Sequence, residues 1–257
     1  MRRTPPLPKT GTKAAKEFFS SWHDINRLFD FVLALAGRAD HVAKTAHTAL
    51  LETQHDPAKK AEMEASWNNR RGAIDELKAN RQLLLETILV RHVENFINYL
   101  SAVLFEIFTT RPETLKSSDK VEVAKVLEHD SIESLVREIA ETKVDALSYS
   151  SFSKMSEFFE ERFRISLASE EDIKFIHEYI EIRNISVHNR CYINKRFLAR
   201  MNLGLSEIGK KKELFGQNLD ALIPKLAEVV KAIDLVVRRK MKVKGIRFNS
   251  KLGTNVG

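Results

Sequence analysis

The sequence predicts an all-α protein, a helical bundle extended by a long N-terminal antiparallel helical hairpin. Three observations predict it. Gly (9) and Pro (6) are scarce among 257 residues, so long uninterrupted elements are allowed. Apolar residues recur every three or four positions over long stretches. The strict alternation of a half-buried strand is almost absent. A chain of this length is large enough to bury a sizeable core.

Each element follows from its own residues. Residues 1–12 read as a flexible basic arm carrying Arg2, Arg3 and Lys9. The hairpin is expected over 13–80. Its first helix starts at Lys13 and ends near Gln54, with Phe18, Trp22, Ile25, Phe29, Val32, Ala36, Ala39, Ala43, Ala46 and Leu50 as its inward stripe. His55-Asp56-Pro57 breaks it, and Pro57 suits a first helical turn. A second helix is expected from Ala58 to Thr109, polar in its first half, apolar in its second, with Gly72 as a soft point. The bundle is expected over 81–245. Asp130-x-x-Glu133 reads as a capping box opening a helix to about Asp145, and Ser150 or Ser153 as the cap of the next, which runs through Phe163. Ser169-Glu170-Glu171-Asp172 opens a helix to about Val187. Asn194–Leu203 is a further helix, and Gly204–Gly216 a loop holding Lys210, Lys211 and Lys212. A last helix runs from about Asn218 to Met241, with Pro224 as a point of late start or kinking. Residues 246–257 read as a basic tail.

Composition narrows the function classes. The formal charge of +7 is compatible with a polyanionic partner or with solvated ends. The single cysteine, Cys191, excludes an internal disulfide and a cysteine-based zinc site, and suits a reducing compartment, most simply the cytoplasm. The longest apolar run, Phe31–Gly37, is far shorter than the ~20 residues of a membrane span, so no membrane role is expected. The sequence contains neither a Gly-rich phosphate loop nor a His-Glu-x-x-His, and no metal or cofactor is expected.

Arg183-Asn184-Ile185-Ser186-Val187-His188-Asn189 is the stretch that carries chemistry. Arginine grips phosphate through parallel hydrogen bonds, and histidine moves protons near neutral pH. Together they suffice to cleave RNA without a metal. On an ideal helix Ile173, Ile176, Ile180 and Val187 share a core face. His177, Glu181, Asn184 and His188 lie along one border, where Glu181 and Asn184 are placed to orient His188. Arg183 lies on the other border, about 140° from His188. Either the helix ends at Val187, or two chains pack across the stripe and share a composite site. Two readings stay open for these residues. In one, Arg183 and His188 are catalytic, with Asn184, Glu181 and Asn189 in support. In the other, His188 and Asn189 finish a helix end and Arg183 forms a surface ion pair. Arg190, Tyr192, Lys195, Arg238 and Arg239 are candidates for contact with nucleic acid.

The segment Glu181–Asn189 resembles the signature of the HEPN superfamily, Arg-Asn-x-x-x-His late in a helical bundle. Ile193-Asn194 and Phe197-Leu198 downstream, and Phe158-Phe159 and Ile165-Ser166-Leu167 upstream, extend the similarity over about Arg81 to Met241. The N-terminal hairpin lies outside it. Cys191 departs from the pattern, standing where these groups often have Gly. The resemblance implies a HEPN-like fold and a metal-independent endoribonuclease. It implies that Arg183 and His188 act as catalytic residues in a homodimer, in a toxin–antitoxin or phage-defence setting. Any antitoxin or regulatory chain would be separate, since no nucleotidyltransferase motif is present. The alternative is a non-catalytic helical module that binds nucleic acid or protein.

Overall fold

The computed structural model describes residues 8–116, 121–148 and 151–248. It is all-α. The hairpin side holds α1 (Lys13–Thr53), α2 (Pro57–Asn69), α3 (Ala73–Ala79) and the head of α4 (Arg81–Thr110). The bundle adds α5 (Val123–Leu127), α6 (Ile132–Ser148), α7 (Phe152–Phe163), α8 (Glu170–Asn189), α9 (Lys195–Met201) and α10 (Gly216–Met241). No helix among the described residues is long and apolar enough to cross a membrane.

Helix α4 is the axis of the bundle. Leu85, Leu89, Val93, Phe96, Leu100, Val103, Leu104, Ile107 and Phe108 are all buried on it. A helix apolar over most of its circumference must be covered on most sides, and α1, α6, α8 and α10 pack against it. Helix α1 runs antiparallel to α3 and α4. Its Ala14 N–H donates to Glu106 at 2.6 Å, its Phe18 carbonyl accepts from Asn95 at 2.9 Å, and its Asp40 accepts from Ala73 at 2.7 Å. Near the tip His47 stacks on Trp67 with centroids 4.4 Å apart.

The start of α1 is fastened rather than free. Thr12 caps it through Ala15, and the Thr12 N–H donates to buried Asp234 at 2.9 Å. Thr10–Gly11 (β1) pairs antiparallel with Ile246–Arg247 (β2), and Phe248 is buried. The arm expected over 1–12 therefore ends in a strand at Thr10–Gly11, and the tail expected from 246 begins as a strand. Residues 1–7 and 249–257, with Arg2, Arg3 and Lys251, lie outside the described residues.

Four further details differ from the sequence expectation. The long second helix is three helices, broken at 70–72 and at Asn80. Asp40 reaches across from α1 to accept from the Ala73 and Ile74 N–H groups, so α3 gets its own N-terminus. Gly72 sits so close that a Cβ there would meet the Asp40 oxygens at 2.9 Å. Helix α6 is capped by Ser131, not Asp130, and α7 by Ser151, one residue from Ser150, which lies outside the described residues. Helix α10 begins at Gly216 and passes through Pro224, which lies on the exposed face where the carbonyl it leaves can meet water. Ala39, Ala46 and Leu50, expected inward, are exposed.

The Asp40 cap has a measurable signature. The Ile74 and Ala73 N–H groups, in that order, hold its carboxyl below the ordinary value of 3.8. A lowered carboxylate stabilises above its unfolded pKa, and that contribution is lost as pH falls through the folded one. The amide shifts of Ala73 and Ile74 should titrate together below pH 3.8, as followed by NMR, and the titration should vanish in Asp40→Asn.

Candidate functional site

The motif helix α8 is closed by two residues with left-handed backbone, Arg190 (φ 50°) and Cys191 (φ 63°). Both N–H groups donate to the Ile185 carbonyl. Left-handed backbone suits Gly best, so a side chain at 191 costs about 1–2 kcal/mol. Cys191 offsets this by burial and a 2.9 Å contact with the Ser186 hydroxyl. Its burial pushes the thiol pKa above 9.0. The reversal turns the chain back along the lysine loop. Ile193 donates to Lys210, and Lys212 donates to Cys191. Asn194 then caps α9 by accepting from Phe197 at 2.9 Å. Helix α9 is thus laid against α8, beside the motif.

Between α8, α9 and α4 lies a cleft of about 580 Å³. Arg183, Asn184, His188 and Glu181 all line it, with Glu94 and Asn98 from α4 and Arg196 and Arg200 from α9. Helix α8 continues through His188 to Asn189, so the early end at Val187 is not used. Arg183 and His188 of one chain both line this cleft. The apolar stripe that suggested a dimer is covered from within: Ile176, Tyr179 and Ile180 are buried in the bundle core. Val187, expected on the core face, is exposed and lines a shallower groove beside Leu83 and Val90.

The polar groups of the cleft are organised by two ion pairs. Glu181 is 3% exposed and accepts from Arg200 at 2.6 Å, tying α8 to α9. It is therefore engaged by Arg200 rather than by His188. Arg183 donates to Glu94 at 2.8 Å and to the Asn184 side-chain oxygen at 3.1 Å, tying α8 to α4. Asn184 thus steadies the guanidinium. His188 is exposed at the mouth, in the last turn of α8.

Other candidates lie elsewhere. Asn189 donates to the Tyr192 carbonyl at 2.6 Å and shapes the turn. Arg190, Tyr192 and Lys195 are at the surface but do not line the cleft. Arg238 stands 3.8 Å from Asp234 and reaches Thr10, where it supports the terminal ribbon, with exposed Arg239 next to it. The sequence reading missed Glu94, Arg196 and Arg200. Two signals point to them: Glu94 and Asn98 are polar at i, i+4 on one face of α4, and Arg196 and Arg200 share one face of α9. No group of three His, Cys, Asp or Glu among the described residues is placed to hold a metal ion.

Comparison with known protein families, characterised proteins and solved structures finds no match.

The Glu181–Arg200 pair sets a clear expectation. Removing the cation leaves a buried carboxylate unpaired, so Arg200→Ala should lose about 3 kcal/mol. That is a fall in melting temperature of roughly 6–12 °C for a chain of this size. Replacing both residues with Leu should recover most of it, as read by calorimetry. Equal losses in both variants would mean that packing, not charge, holds α9 in place.

Proposed function

We propose that the cleft is a metal-independent RNA cleavage site of HEPN type. The observation that carries this reading is that Arg183, Asn184 and His188 line one cleft of a single chain. In the reaction the ribose 2′-oxygen bonds to the adjacent phosphorus and the bond from phosphorus to the 5′-oxygen breaks. The products are a 2′,3′-cyclic phosphate and a free 5′-hydroxyl. The 2′-hydroxyl loses a proton and the departing oxygen gains one. His188, exposed at the mouth, serves one of these transfers. Arg183, held by Glu94 and Asn184, meets the charge that builds on the phosphate oxygens. Arg196, on the opposite wall, makes no ion pair with another described residue and is available to a neighbouring phosphate. The cytoplasm is the natural compartment for an RNA substrate and one reduced cysteine, and a toxin or defence role is the setting this chemistry suits.

The test is direct because His188 sits in an exposed last turn, where substitution disturbs little packing. His188→Ala should lower RNA cleavage by about 100- to 10,000-fold while the melting temperature stays within a few degrees. A chelator should leave the wild-type rate unchanged. Cleavage that persists in His188→Ala, or that stops on chelation, would overturn the mechanism. A wild type that binds RNA in the cleft without cutting it would favour the non-catalytic module.

A further inference from the structure

A long run of uncovered apolar side chains lies not on the motif helix but on the outer half of α1. Leu28, Phe31, Leu35 and Val42 are 58%, 61%, 55% and 65% exposed. Ala39 and Ala46 are exposed between and after them, and Leu50 continues the line. Leu28 and Ala39, Phe31 and Val42, and Leu35 and Ala46 are each eleven residues apart. That period is close to three turns of a straight helix, so the residues stay on one line. No charged residue falls on that line. The other side of α1 packs on α3 and α4 through Ala36 and Asp40, so the hairpin leaves the line open.

From Leu28 to Leu50 the stripe is about 33 Å long. An apolar strip of this size marks an interaction surface rather than ordinary scatter. Two such strips face to face approach the ~1,000 Å² that a stable interface buries. The order of side-chain sizes identifies the occupant. The stripe opens with bulky residues (Leu28, Phe31, Leu35) and continues with smaller ones (Ala39, Val42, Ala46) before Leu50 ends it. We propose that a second copy of this chain covers the stripe, with the two α1 helices antiparallel about a two-fold axis beside Ala39. In that register Phe31 faces Ala46 and Leu35 faces Val42 of the other copy. Large then meets small at both of these levels, as close packing requires. A parallel pair would set Phe31 on Phe31 and leave a gap between facing Ala46 residues. The two-fold arrangement is closed, so neither stripe remains open to further copies. The stripe shares no residue with the cleft, and the pairing stands whether or not the cleft cuts RNA.

Light scattering on the full chain at tens of micromolar should give the mass of a dimer. Leu35→Asp, which points into solvent in the single chain, should weaken dimerisation by about 100-fold or more. Its circular dichroism and melting should stay native-like once monomeric. Orientation is read by mixing two single-cysteine variants, Phe31→Cys and Ala46→Cys, under mild oxidation. Buried Cys191 stays out of this reaction. Cross-linking between unlike variants, and little within either alone, is the antiparallel result. A monomeric wild type, a dimer that survives Leu35→Asp, or cross-linking of like with like would each overturn the proposal.

Discussion

The need to cover α4 organises this protein. A helix that is apolar over most of its circumference cannot face water. Its neighbours arrive from far along the chain, α1 before it and α6, α8 and α10 after it. What is informative is how α4 uses three of its polar side chains. Asn95 donates to the Phe18 carbonyl of α1. Glu106 takes up the free N–H groups at the start of α1. Burial raises its pKa while those same N–H groups oppose the rise. Glu94 holds Arg183. These three polar side chains are thus points at which other helices are registered against the central one, and one of those points lies in the candidate site.

The site inherits its shape from a local backbone decision. Two left-handed residues after α8 reverse the chain at once, where a looser exit would have carried α9 away. Because α9 folds back, its Arg200 finds Glu181, and a carboxylate too deep for water gains a cation. The same reversal brings Arg196 to the cleft wall. Arg190 and Cys191 thus matter for where they send the chain, not for what their side chains touch in the cleft.

Much of this was legible in the sequence. Spacing located the helices, and Thr12, Ser169 and Asn194 sit as caps beside the starts that periodicity suggests. Asn184 and His188 share a border of α8, as the wheel placed them, and both line the cleft. What helical geometry could not convey was reach. A wheel reports the direction of the Cα–Cβ bond, and arginine has a long side chain that can swing around the helix. Arg183 therefore lines the same cleft as His188 despite starting on the other border. Tertiary capping was equally hidden. Nothing near Gly72 announces that Asp40, 33 residues before Ala73, supplies the acceptor that splits the second helix. The inward stripe of α1 was followed too far. Its alanines carry no preference for either side, and beyond Ala36 the face toward α3 passes through Asp40 and Ala43 rather than Ala39 and Ala46.

The charge pattern of the cleft bears on how it could discriminate. Three arginines line it, yet Arg183 and Arg200 are already paired with Glu94 and Glu181. Bulk positive potential is therefore small, and a passing phosphodiester gains little by entering. To use Arg183 fully, a phosphate must draw the guanidinium from a carboxylate that holds it at 2.8 Å. A singly charged phosphodiester competes with Glu94 on roughly equal terms. The five-coordinate phosphate of an attack by the 2′-oxygen carries more negative charge and competes better. Under the proposed reading, an arginine held in this way would bind the transition state more tightly than the ground state, which is the condition for accelerating a reaction rather than only binding its substrate. Under the proposed reading, Glu94 does not merely neutralise Arg183. It keeps the cation positioned, and hard to win, until the charge that needs it appears.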